Sequence, residues 1–219
     1  MTLLTAILFA AAFGAGRAPL SRLPGVGDQD LIARFRAGDR RAFDEIVLRY
    51  QHRVYSLCYR WLGEREVAEE VAQDVFLAVF RSLEGFRGES SLSTWIFKVS
   101  VNHCRNRRLY RFRRGHGRHE PIDQRAEEDG PVLQIADETA HADGGSLRRE
   151  ASDVVQRALE SLDEDHRQIL LLRDVEDLDY EEIADILDIP RGTVKSRLHR
   201  ARTELATVIA RSIRPEDLR

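Results

Sequence analysis

The 219-residue chain is rich in charge and poor in rings: charged residues make up 32% and aromatics 7%. That length permits one large domain or two small ones, and the lack of long alternating Val/Ile/Thr runs argues against a strand-based fold and for an all-α one. A formal net charge of −3 excludes a uniformly basic nucleic-acid binder, yet the charge is unevenly spread. Arg105, Arg107, Arg108, Arg111, Arg113, Arg114 and Arg118 have no acid among them, whereas eight carboxylates face the single Arg125 between Glu120 and Asp143. The total therefore hides two basic patches and an acidic spacer.

Residues 1–27 differ from the rest of the chain. Leu3 to Gly14 is an apolar run about as long as a signal-peptide core, too short for a spanning helix and without a basic leader. Three readings are open: an export signal, which conflicts with the DNA-binding features downstream; a membrane-associated or partner-binding extension; or a translation start further on, for instance at Val26. The third is preferred.

From Asp28 the pattern becomes helical. Leu31, Ile32 and Phe35 form a short amphipathic helix that Gly38 can end, with Asp39 as the cap of the next. Phe43, Ile46, Val47, Tyr50, Val54, Leu57, Cys58 and Trp61 hold a helical period until Gly63. A third helix, roughly 64–83, carries Val67, Val71, Val75 and Val79 on one stripe. Its outer side sets Glu66, Glu70 and Asp74 at i, i+4 with Glu69 and Gln73 alongside. Like charges at that spacing cost an isolated helix about 0.2–0.5 kcal/mol each, a cost that a basic partner surface removes; a solvated acidic face is the alternative.

The loop GFRGESS, 85–91, has two glycines, an aromatic and a charge pair, and Ser93 is placed to cap a helix from Thr94 to about Arg111. Lys98, Asn102, Arg105 and Asn106 share one face of it. Aromatics, amides and arginines beside a Gly-rich loop suit the capture of an unstacked base and the tracking of a single strand. Trp95 alone reads as core. Cys58 and Cys104 lack CxxC spacing and imply neither a disulfide framework nor a zinc site, so buried thiols in a reducing cytoplasm are expected. His103, next to Cys104, is poorly placed to chelate with it, and no metal or cofactor is expected.

Residues 115–147 show little periodicity and read as a flexible acidic linker. Val154, Val155, Ala158 and Leu159 open a second helical unit; Asp163 is placed to cap a helix carrying Ile169 to Leu172. Then Asp179, with Glu182 three residues on, signals a capping box for a helix with Ile183, Ala184, Ile186 and Leu187 buried. Pro190 and Gly192 interrupt the period, and another helix resumes near Thr193. Val194, Leu198, Ala201 and Leu205 pack on its inner side, while Lys195, Ser196, His199 and Arg200 point outward. From Arg191 to Arg214 seven bases oppose one acid, Glu204. A basic second helix of a helix-turn-helix suits the major groove, with neighbouring arginines on phosphates; a helical hairpin with a solvated face is the bland alternative.

In this order the parts resemble a bacterial RNA polymerase sigma factor of the sigma-70 family, extracytoplasmic-function (ECF) group, over about Asp28 to Ile213. DQDLIARFRAGDRRAFDEIVLRYQHRVYSLCYRWLG and EVAEEVAQDVFLAVFRSLEGFRGESSLSTWIFKVSVNHCRNRR are similar to region 2, and LESLDEDHRQILLLRDVEDLDYEEIADILDIPRGTVKSRLHRARTEL to region 4. The resemblance implies two small helical domains, region 2 at 28–114 and region 4 at 151–214, joined by a linker at 115–150 and preceded by the extension at 1–27. It implies a non-enzymatic protein that binds polymerase core, recognises minus-ten and minus-thirty-five promoter elements and aids opening.

For the sites, the resemblance implies that Glu70, Gln73, Asp74 and Phe76 meet the beta-prime clamp helices. Phe86, Arg87, Gly88, Glu89, Ser90, Lys98, Asn102 and Arg105 would take the minus-ten strand. Lys195, Ser196, His199 and Arg200 would read the minus-thirty-five duplex, with Arg191, Thr193, Arg197 and Arg202 nearer phosphates, and the beta flap is implied beside the clamp helices as a part of polymerase core that the protein meets. The other implied partner is an anti-sigma factor, which would hold the cytoplasmic, nucleoid-associated protein at the inner membrane; no small-molecule substrate is implied. One departure is Asp188, where the group often has glycine; Asp tolerates the left-handed conformation the turn needs. A conventional helix-turn-helix regulator of intact duplex is the alternative. It leaves the 85–91 loop and the helix after it without a role.

Overall fold

The structure, a computed structural model, describes residues 27–115 and 145–212. They are helical, without a strand among them, and divide into two compact units, one within 25–135 and one within 136–219. The all-α expectation holds. The N-terminal extension and nearly all of the acidic spacer lie outside the described residues.

The first unit holds α1 (Asp28–Arg36), α2 (Arg41–Leu62), α3 (Arg65–Ser82), a short 3-10 turn (Leu83–Gly85) and α4 (Leu92–Gly115). Gly38 ends α1 at φ 93°, donating to Phe35 O, and Gly63 ends α2 at φ 81°, donating to Tyr59 O. At both positions the left-handed backbone is open to glycine at little cost. Asp39, expected as the cap of α2, sits one residue ahead of the cap position, Arg40. Its carboxylate still accepts from the Arg41 N–H at 3.0 Å, and its other oxygen takes two bonds from Arg34. That guanidinium holds the Asp39 carboxyl below its ordinary pKa.

The apolar stripes meet in one core. Leu31, Ile46, Val54, Leu57, Trp61, Val75, Val79, Ile96, Phe97 and Val101 are fully buried; Val67, expected on the α3 stripe, is half-buried. The start of α1 is fastened to α2 by Asp28, which accepts from the Tyr50 hydroxyl at 2.6 Å and from Arg49 at 2.5 Å. Burial, and after it the Asp28 carboxylate, push the Tyr50 phenol well above its ordinary pKa. Cys58 of α2 and Cys104 of α4 are both free and buried, and their sulfurs lie 3.7 Å apart.

The second unit holds α5 (Gly145–Ser161), α6 (Glu164–Leu170) with a wider π turn (Leu171–Val175), α7 (Tyr180–Leu187) and α8 (Arg191–Ser212). Helix α5 begins inside the segment expected to be linker. Asp163 occupies the cap position of α6, but its side chain makes no capping bond; only its carbonyl serves, accepting from His166 and Arg167. Ile169 to Leu172 fill the core with Val155, Leu159, Ile183, Val194, Leu198 and Ala201. Arg167 is 4% exposed, and its guanidinium donates to the carbonyls of Leu159 at 2.7 Å, Glu160 at 2.5 Å and Leu162 at 3.2 Å. One cation thus satisfies the orphan carbonyls at the end of α5 and carries favourable charge for that helix terminus.

Candidate nucleic-acid interface

Three surfaces carry the charge patterns picked out in the sequence. On α3, Glu66, Glu69, Glu70, Gln73 and Asp74 are all exposed. Part of their mutual repulsion is relieved from within the chain: Arg107 of α4 reaches Glu70 at 2.9 Å and Asp74 at 3.9 Å, and Arg111 reaches Glu64 at 2.5 Å. Phe76 does not belong to this face. It is 2% exposed, because it follows Val75 around the helix into the same core-facing sector, and it is withdrawn from the surface candidates. Beside the acids, burial lowers the His103 pKa, an effect the Asp74 charge opposes.

The loop before α4 presents Arg87, Gly88 and Glu89 to solvent and Ser90 half-buried. Gly88 has φ 73°, and a side chain added there would meet nothing within 4 Å, so glycine is needed for the backbone turn and not for space. Arg87 and Glu89 are 3.9 Å apart and more than 80% exposed, too solvated to hold each other firmly. Phe86 is a second correction: it is 6% exposed, its ring centroid lies 5.0 Å from that of Trp95, and its carbonyl accepts from Arg36. It anchors the loop to the body.

The cap of α4 is Ser91, two residues earlier than Ser93. The Ser91 Oγ accepts from the Thr94 N–H at 3.0 Å and exchanges hydroxyl bonds with Ser93 and Thr94, so the helix begins at Leu92, which is buried. Asn102 and Asn106 are exposed, and Lys98, Arg105 and Trp95 half-buried, on the side away from Phe97, Ser100, Val101 and Cys104. No acid lies within α4. Loop and helix together offer donors, positive charge and a solvent-facing turn.

In the second unit the capping box is complete: the Glu182 N–H donates to Asp179 at 2.8 Å and the Asp179 N–H to Glu182 at 2.9 Å. Asp188 ends α7 at φ 54°, ψ 50°, the left-handed turn conformation in which an aspartate costs less than most residues. Helix α8 starts at Arg191, earlier than expected, because the Pro190 carbonyl accepts from Thr193 and Val194; Gly192 therefore lies in its first turn. Lys195, Ser196, His199 and Arg200 are exposed along α8, and Thr193 is half-buried.

The flanking arginines are tied down: Arg191 to Glu181 at 2.7 Å, Arg197 to Asp165 at 3.0 Å, and Arg202 to Asp174. The bond to Asp174 raises the Arg202 pKa. A contact between His166 Nδ1 and a Glu204 carboxylate oxygen joins α6 to α8. None of these braces was legible from spacing, since each partner lies on another element.

Comparison with known proteins agrees with this layout. The family described as sigma-70 region 2 matches residues 46–115, and sigma-70 region 4 matches 152–205. The chain is 36% identical over 178 residues to the RNA polymerase sigma-H factor of Pseudomonas aeruginosa, covering 80% of this chain and 90% of that protein. It is 37% identical over 188 residues to the ECF RNA polymerase sigma-E factor of Escherichia coli K12, covering 85% of this chain and 96% of that protein. Among solved structures, the sigma factor RpoE of Bartonella quintana in complex with the anti-sigma factor NepR superposes with a TM-score of 0.58 at 21% identity, over 77% of this chain and 96% of that one. With both regions present in order and a third of the residues shared along nearly their whole length, the chain belongs to the sigma-70 family of RNA polymerase sigma factors, in its extracytoplasmic-function group.

Proposed function

We propose that this sigma factor docks on RNA polymerase core through the exposed acids of α3, Glu70 and Asp74 with Gln73, and directs the enzyme to two-part promoters. Arg87, Gly88, Glu89 and Ser90 with Lys98, Asn102 and Arg105 take a base and its strand from the melted minus-ten element. Lys195, Ser196, His199 and Arg200 read the minus-thirty-five duplex in the major groove, and Arg191, Thr193 and Arg197 lie toward the phosphates. Two weak readers on one chain raise each other's effective concentration. The chemistry is binding and strand capture, not catalysis.

The observation that carries this reading is the pair of acid-poor, outward-facing helices in separate units, one beside a glycine-turned loop and one behind a tight turn. A regulator of intact duplex uses only α7 and α8. No helix among the described residues is long and apolar enough to cross a membrane, and the working place proposed is the nucleoid, with an anti-sigma factor as the negative partner. Transcription in vitro with core polymerase and a promoter library tests the proposal: promoter-selective initiation is expected, and failure of the chain to join core would overturn it.

A further inference from the structure

The side chains that join α6 to α8 form a donor set to which the nucleic-acid faces give no task. Asp163, His166 and Glu204 each offer one ligand atom, a carboxylate oxygen or an imidazole nitrogen, and the three atoms lie within 4.8 Å of one another. Asp163 is exposed, and His166 and Glu204 are half-buried. The first two are three residues apart at the start of α6, but Glu204 comes from another helix, so the set is assembled only by the fold.

Two observations separate this group from a solvated acidic face. An aspartate at a cap position ordinarily accepts from the backbone N–H two or three residues on. Here the Asp163 carbonyl takes that part and the carboxylate makes no cap bond; it lies instead near an imidazole and a second carboxylate. The imidazole is itself engaged across the helix pair, since His166 Nδ1 contacts the Glu204 carboxylate. Of the arginines nearby, Arg197 is held by Asp165 at 3.0 Å. The group opens onto a cleft lined by Asp163, Glu164, Asp165, His166, Arg197 and Arg200, which supplies an entry path.

The donors select the ligand. Two carboxylates beside a neutral imidazole carry the charge that a divalent cation cancels. Imidazole suits zinc and its neighbours in the transition series, whereas magnesium and calcium take oxygen alone. Zinc bonds of about 2.0–2.1 Å in a tetrahedron set ligand atoms about 3.3 Å apart, so these three reach an ion by rotation of their side chains without movement of either helix.

We propose that Asp163, His166 and Glu204 hold a divalent ion of the zinc class, with water in the fourth place, which staples the start of α6 to α8. Glu204 stands one turn beyond Arg200 on α8, so the ion fixes that helix against the one beneath it. The site stands whether or not α8 reads duplex.

The test titrates metal-stripped full chain with zinc, read by competition with a chromogenic chelator, and with cobalt as a spectroscopic stand-in. Zinc should bind as one equivalent that Asp163→Asn, His166→Gln and Glu204→Gln each lose. Their affinity should fall by more than about a hundredfold, beyond what the loss of an outer-shell partner costs. Cobalt should gain the visible absorption of a tetrahedral site in wild type and not in these variants. Asp165→Asn removes a neighbouring acid without removing a ligand and should keep both signals. At zinc a hundredfold above its Kd, amide exchange through full opening of α6 and α8 should slow by about a hundredfold, with α1 to α4 unchanged. That ratio is taken within each variant, so a less stable variant is not mistaken for one that has lost a ligand. A full chain that takes up no zinc overturns the proposal, as does zinc binding that survives in all three ligand variants. Equal protection by magnesium, or an Asp165→Asn loss as large as theirs, overturns it too, since either marks diffuse attraction to acids.

Discussion

In α8 the arginines beside the reading face lean on carboxylates to which no other role falls, with Glu181, Asp165 and Asp174 holding Arg191, Arg197 and Arg202. In α4 the same device uses acids that the proposed reading gives to polymerase, since Arg107 spans Glu70 and Asp74. If α8 reads duplex as proposed, its flanking arginines are set before it meets DNA. The proposed strand reader, α4, shares these acids with the proposed docking face, so a basic partner there would compete with Arg107 for them. On the proposed reading, a helix braced within its own unit suits duplex, whose groove is present at all times, and a helix tied to the proposed docking face suits a strand that exists only after the promoter has opened.

The largest expected effect lies in the second unit, at the cation that closes the end of α5. Arg167→Ala strips three carbonyls of their buried donor and should destabilise the second unit by about 3 kcal/mol, read in denaturant unfolding, with the first unit unaffected. Arg200→Ala, exposed on α8, should cost about 1–3 kcal/mol on a guanine-bearing minus-thirty-five duplex and relax choice at one base; equal affinity across that base in wild type would remove Arg200 from the readers.

Arg107→Gln tests the other half. It should lower the melting temperature slightly while raising core affinity about two- to threefold, two effects of opposite sign that a merely structural role does not produce. In a Glu70→Gln, Asp74→Asn background the gain should vanish. The smallest effect is on pH. The folded-state pKa of His103 is depressed, chiefly by burial, so folding favours its neutral form. Its contribution is complete above the ordinary value of 6.5 and is lost as pH falls toward the folded value. Acidification below about 6.5 should therefore destabilise the first unit, and His103→Phe should flatten that slope.

The legible part of the sequence was local. The Asp179–Glu182 box and the glycines that end α1 and α2 are set by groups within four residues, and each took its expected place. The stripes of α2 and α8 were legible because their period is sustained over several turns. The errors arose where distant elements decide. Two serines compete to cap α4, and the choice falls to Ser91 because it lets Leu92 reach the core. Phe76 and Phe86 have the residue type of a contact aromatic, but packing turns both inward. Arg167 looks like any surface arginine until the carbonyls of Leu159, Glu160 and Leu162 are brought to it. The exposed acids of α3 and the outward residues of α8 needed only helical phase.

The cysteine pair gives the molecule a built-in reporter. The chain has two cysteines, both in the first unit and both shut away from solvent. An alkylating reagent can reach them only when α2 and α4 part, so its rate of reaction follows the openings of that core. Because the described part of the second unit carries no thiol, the same labelling experiment leaves it silent, and the breathing of one half of the protein can be timed without tagging either.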